Sequence, residues 1–186
     1  MLSRNERRWL GALLVLFLLV GVITELRAVC QDRPKGDLMV FLRTAWAVRA
    51  DRDIYAVTDH NGWHYHYPPL LAILMTPLAN PPPPVTMPGT LPYPVSVVVW
   101  YAFNVLLLFL GTHLLAGALA ETTGQPMERW GRRWWAWRVV PIVTCLPPII
   151  HTLVRGQVGV LLLFFIMLTA LPVLGGALGA KVLAKE

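Results

Sequence analysis

The stretch DHNGWHYHYPPLLAILMTPLANPPPP, Asp59 to Pro84, places His60, His64 and His66 with Asp59 among aromatic residues, directly ahead of an apolar segment. Imidazoles separated by four and two residues can converge on a divalent ion. No cysteine and no HExxH pattern accompanies them, so no metal site is expected. Histidines beside aromatic rings at an interface usually serve as hydrogen-bonding groups. Because an imidazole can donate to phosphate oxygens, His64 and His66 are candidates for holding a lipid phosphate.

Two other places carry polar chemistry. Asp37 opens the run DLMVFLRTAWAV. An aspartate at a helix start is suited to capping, accepting backbone N–H groups of the first turn. The same position suits a general base held at headgroup depth beside a helix that fixes it. Both readings stand on the residues alone. Arg155-Gly156-Gln157 interrupts two apolar runs. It reads equally as an interfacial turn, which the glycine favours, and as polar groups facing a cavity, since such groups are costly at membrane depth.

These residues need membrane elements to position them. Of 186 residues, 56% are hydrophobic and 14% charged, too few charges to cover a water-soluble surface. Eight tryptophans and five tyrosines suit the boundary between hydrocarbon and water. The net charge of +6 comes from 16 basic and 10 acidic residues, and much of it flanks apolar runs. Anionic membrane lipid is therefore the expected partner, and nucleic acid is not. Cys30 and Cys145 form neither a disulfide framework nor a zinc pattern and read as packing residues.

The expected fold is an all-α polytopic membrane protein, a single membrane domain with about four or five membrane segments. RNERRWLGALLVLFLLVGVITELRAV supplies a first transmembrane helix over 9–29. The run is long for a cleaved signal core and lacks a clear small-x-small site, so it reads as uncleaved with a cytoplasmic N-terminus in the cell membrane. Residues 30–66 form an outer loop. In it Leu38, Phe41, Leu42, Ala45 and Val48 share helical spacing, the pattern of an amphipathic helix in the membrane interface. Residues 67–79 are a short transmembrane or re-entrant element, since 13 residues reach only about 20 Å of a roughly 30 Å core. Pro68 and Pro69 fit its helix start.

Seven prolines between Pro81 and Pro94 make an extended connector. Transmembrane segments follow at 95–120, at 139–154 (short or kinked by Pro141, Pro147 and Pro148) and at 158–178. MERWGRRWWAWR between them reads as an interfacial anchor. If every run spans, this basic segment falls outside, against the positive-inside tendency. If 67–79 is re-entrant, it falls inside.

In this order GDLMVFLRTAWAVRADRDIYAV, WHYHYPPLLAILMTPLA, VVVWYAFNVLLL and RGQVGVLLLFF resemble glycosyltransferase family 87. Those are polytopic enzymes of the C-type glycosyltransferase fold, similar to polyprenyl-phosphate-mannose-dependent mannosyltransferases. The resemblance implies transfer of a hexose, mannose foremost, from a polyprenyl-phosphate donor to an acceptor at the outer membrane face, with no cofactor beyond the lipid-linked sugar. It implies that Asp37 is the base on the acceptor hydroxyl, with Asp32 in the same loop as the fallback. It also matches Tyr67, Pro68 and Pro69 to a cavity-wall YPP motif, and Gly156 with Gln157 to a GQ motif. His64, His66, Tyr67, Arg155 and Gln157 are the expected substrate-binding residues.

The resemblance covers the N-terminal half of such an enzyme, which implies a C-terminal half or partner subunit. The competing expectation is a non-catalytic membrane subunit or scaffold of a larger complex. A transporter component ranks last, because the polar residues concentrate in loops.

Overall fold

The computed structural model describes residues 2–30, 36–123 and 128–183, with side chains through residue 171. The elements are α1 (Arg4–Cys30), α2 (Leu38–Arg49), α3 (Pro69–Leu74), a 3₁₀ turn (Thr76–Leu78), α4 (Tyr93–Thr123), α5 (Arg132–Thr144), α6 (Leu146–Arg155) and α7 (Gly159–Leu183). Among the described residues the only extended pairing is an isolated antiparallel bridge between Thr58 and His64. The chain divides into two compact units: Met1–Leu18, Phe103–Leu153 and Val158–Glu186 in the first, Leu19–Ala102 and Val154–Gln157 in the second.

In the first unit α1 begins with a reciprocal cap. The Ser3 N–H donates to Glu6 Oε2 at 2.7 Å, and the Glu6 N–H donates to Ser3 Oγ at 3.2 Å. Two otherwise orphaned backbone donors are thereby satisfied. Glu6 also meets Arg132 at 2.7 Å, which brings the first turns of α1 and α5 to the same end of this unit. The arginines at the starts of α1 and α5 therefore share one end of this unit.

Phe17 and Phe109 pack edge-on with centroids 5.7 Å apart, joining α1 to α4. At Gly111 a Cβ would come within 2.9 Å of the Met167 sulfur, so the missing side chain lets α4 and α7 approach closely. The anchor segment is helical from Arg132, and Trp130, Trp134 and Trp135 stack within it, with Arg138 3.9 Å above the Trp134 ring.

Two helices, α1 and α4, are long and apolar enough to cross a membrane, and a third crossing results if α5 and α6 form one span bent by 65°. That is fewer than four or five among the described residues. The segment expected at 139–154 is this bent pair; Pro147 and Pro148 occupy the first turn of α6, where missing N–H groups are tolerated. The helix in 67–79 is α3, whose six residues rise only about 9 Å and cannot cross alone. It starts at Pro69, as the prolines indicated.

The second unit is built around α2. Every residue from Leu38 to Ala47 is buried, Arg43 and Thr44 included, so protein surrounds the whole circumference and not only the apolar stripe. Thr44 donates to the Val40 carbonyl at 2.8 Å, and Arg43 Nη1 donates to the Asn80 carbonyl at 3.0 Å. Burial pulls the Arg43 pKa down, opposed by the negative charge of Asp59. The proline-rich connector is tied to the same helix. The Asn80 N–H donates to Leu42 O, and Arg49 donates to the carbonyls of Pro88 and Gly89. The helix α3 and the 3₁₀ turn both pack on α2. Cys30 and Cys145 are exposed and unpaired, so neither fills a core position.

Candidate active site

Asp37 is the residue preceding α2, yet it does not cap it. Its backbone is already helical (φ −75°, ψ −20°), and its carboxylate makes no hydrogen bond to the first turn. That geometry aims the side chain away from the orphan N–H groups a cap would serve. Its own N–H donates to the Arg155 carbonyl at 2.9 Å, and its Oδ1 lies 3.5 Å from Arg155 Nη2. A charge-assisted hydrogen bond closes to about 2.8 Å, so this is a loose ion pair. The Asp37 side chain is 24% exposed and that of Arg155 37%, and the site is open to a ligand. Arg155 Nε is buried without a hydrogen-bond partner, an uncommon condition for a guanidinium donor.

Two glycines permit this approach. A Cβ on Gly36 would stand 2.8 Å from the Arg155 carbonyl oxygen. Gly156 has φ +67°, and a Cβ there would stand 2.6 Å from Leu38 Cβ. The end of α6 therefore lies against the start of α2 only because both contact points lack side chains. Trp100 Nε1 donates to the Gly156 carbonyl at 3.1 Å, fixing the turn from a third direction. Gln157 is half-buried in the same turn.

The histidine-rich segment runs beside this junction. Trp63 carries the Arg155 guanidinium 5.9 Å from its ring centroid, and Tyr67 packs edge-on against Phe41, one turn along α2 from Asp37, at 5.4 Å. His64 and His66 lie between these anchors and are exposed. His64 Nδ1 is 3.2 Å from the Tyr55 carbonyl, leaving Nε2 for a ligand. Tyr65 is buried and donates to the Pro68 carbonyl at 2.7 Å, and burial pushes its phenol pKa up. Asp59 serves its own turn: Oδ1 accepts from the N–H groups of Asn61 and Trp63 at 2.7 and 2.9 Å, and Oδ2 accepts from Asn61 Nδ2 at 3.0 Å. Among the described residues no group of three metal-ligating side chains gathers.

The structure thus joins Asp37 directly to Arg155 and brings Tyr67 to the same helix. His64 and His66 are attached through their neighbours. Asp32 lies outside the described residues. Sequence reasoning missed Trp63 and Gly36; the glycine's position immediately before Asp37 was the available signal.

A helical membrane protein with a loosely paired carboxylate beside an open arginine fits the membrane glycosyltransferase class. The chain belongs to glycosyltransferase family 87, whose family model matches residues 65–185. The matched range includes Tyr67, Arg155 and Gln157, and Asp37 precedes it. No curated protein matches the chain, and no solved structure matches it.

Proposed function

We propose that this chain transfers a hexose, mannose foremost, from a polyprenyl-phosphate donor to an acceptor hydroxyl at the outer face of the cell membrane. The acceptor oxygen attacks the anomeric carbon as its proton passes to Asp37. The bond between that carbon and the phosphate oxygen breaks, and polyprenyl phosphate leaves with the electron pair. Arg155, with its unused N–H, and the imidazoles of His64 and His66 offset the charge that develops on the departing phosphate. Tyr67 and Gln157 line the donor site.

The observation that carries this reading is the Asp37 carboxylate. It makes no cap bond to its own helix and sits partly exposed, 3.5 Å from Arg155. The orientation has separate support. Six arginines (Arg4, Arg7, Arg8, Arg129, Arg132 and Arg133) flank the shared end of α1 and α5, which favours a cytoplasmic position for that end. A helix of 27 residues is about 40 Å long, enough to cross a roughly 30 Å hydrocarbon core.

The test is transfer from labelled polyprenyl-phosphate mannose in membranes carrying the chain or its Asp37→Asn variant at equal expression. Transfer that is lost in the variant supports the proposal. Absence of transfer from both, with other sugars on the carrier as well, points to a non-catalytic membrane subunit.

A further inference from the structure

One ring nitrogen of His64 is already committed. Its Nδ1 lies 3.2 Å from the Tyr55 carbonyl oxygen, which can only accept, so the contact is a hydrogen bond with the proton on Nδ1. Tyr55 is itself held from several directions. Its N–H donates to Asp53 Oδ1 at 2.9 Å, and its hydroxyl donates to the Tyr67 carbonyl at 3.3 Å. Its ring packs 6.0 Å from that of the buried Tyr65. The His64 backbone is pinned in turn by its antiparallel bridge to Thr58.

A neutral imidazole carries one proton. With that proton on Nδ1, Nε2 presents a lone pair, which repels a phosphate oxygen and cannot donate to it. Nε2 becomes a donor only when the ring takes a second proton and a positive charge. A ring free to change tautomer could donate to phosphate while neutral; His64, held by Tyr55, cannot.

We infer that Tyr55 is a positioning residue whose carbonyl holds the Nδ1 proton of His64, so that His64 engages the donor phosphate only as the imidazolium. The inference rests on the donor site proposed above. The titratable and charged groups around His64 are those of its two flanking segments and of the α6 end. Asp53 is bonded to the Tyr55 N–H, and Asp59 is saturated within its own turn. Tyr65 and Tyr67 pack against each other, and Arg155 stands over Trp63. His66 is the other imidazole of the segment, so the test must separate the two histidines.

The experiment combines histidine-selective nitrogen NMR of the full chain in nanodiscs with binding of polyprenyl-phosphate mannose at about pH 5 and about pH 8. This donor is a phosphodiester and keeps a single negative charge throughout, so its own ionisation does not enter. The signal missing from His64→Gln identifies His64. The neutral ring should carry its proton on Nδ1, and donor affinity should fall about tenfold from the lower to the higher pH. His64→Gln offers an amide N–H of fixed charge and should bind equally at both. His64→Asn keeps a donor for the Tyr55 carbonyl but presents nothing at Nε2. At the lower pH it should bind as weakly as the native chain does at the higher.

A neutral ring protonated on Nε2 overturns the inference, as does a pH dependence that survives undiminished in His64→Gln. Equal donor binding by the native chain at both pH values overturns it while leaving the transfer proposal standing. Absence of donor binding at either pH overturns both.

Discussion

Asp59 and Asp37 lie in the same unit, close to the same aromatic segment, and their surroundings make them opposites. Asp59 is 5% exposed, and both its carboxylate oxygens accept hydrogen bonds within a five-residue turn. Asp37 has no such bonds to its helix and faces one loosely held arginine across 3.5 Å. A carboxylate saturated by local N–H donors holds backbone in place and has little left for a substrate. One left unsaturated beside an open cation contributes little to folding and remains available for chemistry. Residue type separates these two roles less well than the hydrogen-bond inventory does.

The largest effect is expected from Asp37→Asn. It should lower sugar transfer by about 10²–10⁴, the range of a lost general base, while moving the melting temperature by no more than a degree or two. Transfer rates and thermal unfolding of the same preparation check both halves. A large drop in melting temperature would make Asp37 structural, like Asp59.

Next in size is Gly156→Ala. Left-handed backbone and the 2.6 Å clash with Leu38 together should cost about 2–4 kcal/mol, read as a lower unfolding midpoint. Gly36→Ala should be felt in the same way, because backbone cannot move aside as readily as a flexible side chain. Asp59→Ala follows. It leaves the N–H groups of Asn61 and Trp63 without their acceptor and should cost roughly 2 kcal/mol. The donor KM should rise only as far as Trp63 shifts under Arg155.

The smallest effect expected is that of Trp100→Phe. It removes the bond to the Gly156 carbonyl but keeps most of the ring, for a loss of about 1 kcal/mol in thermal unfolding.

Much of the architecture was legible in order and type. The apolar runs at 9–29 and 95–120 became α1 and α4, extended by a few residues at each end because capping residues and prolines can belong to the first turn. The stripe from Leu38 became α2. Its full burial was not legible, because a periodic stripe identifies one buried face and Arg43 reads as exposed until the Asn80 carbonyl is seen to receive it. The apolar run at 67–79 holds only the six-residue α3 and a 3₁₀ turn, and the meeting of Glu6 with Arg132, which brings the starts of α1 and α5 together, has no local signal in the sequence. Cys30 and Cys145 were misjudged because an apolar neighbourhood in sequence does not say whether a residue is covered; Cys30 ends α1 and Cys145 lies in the break between α5 and α6.

By itself the sequence determined the class: a helical membrane chain with basic, tryptophan-rich ends and family 87 motifs, since hydrophobicity and charge are local properties that composition and spacing carry directly. Tertiary structure decided which carboxylate is left open. Asp37 and Arg155 are separated by more than a hundred residues, and no local pattern relates them. They meet because Gly36 and Gly156 let two backbones approach at side-chain-free points, a coincidence of space that only packing creates.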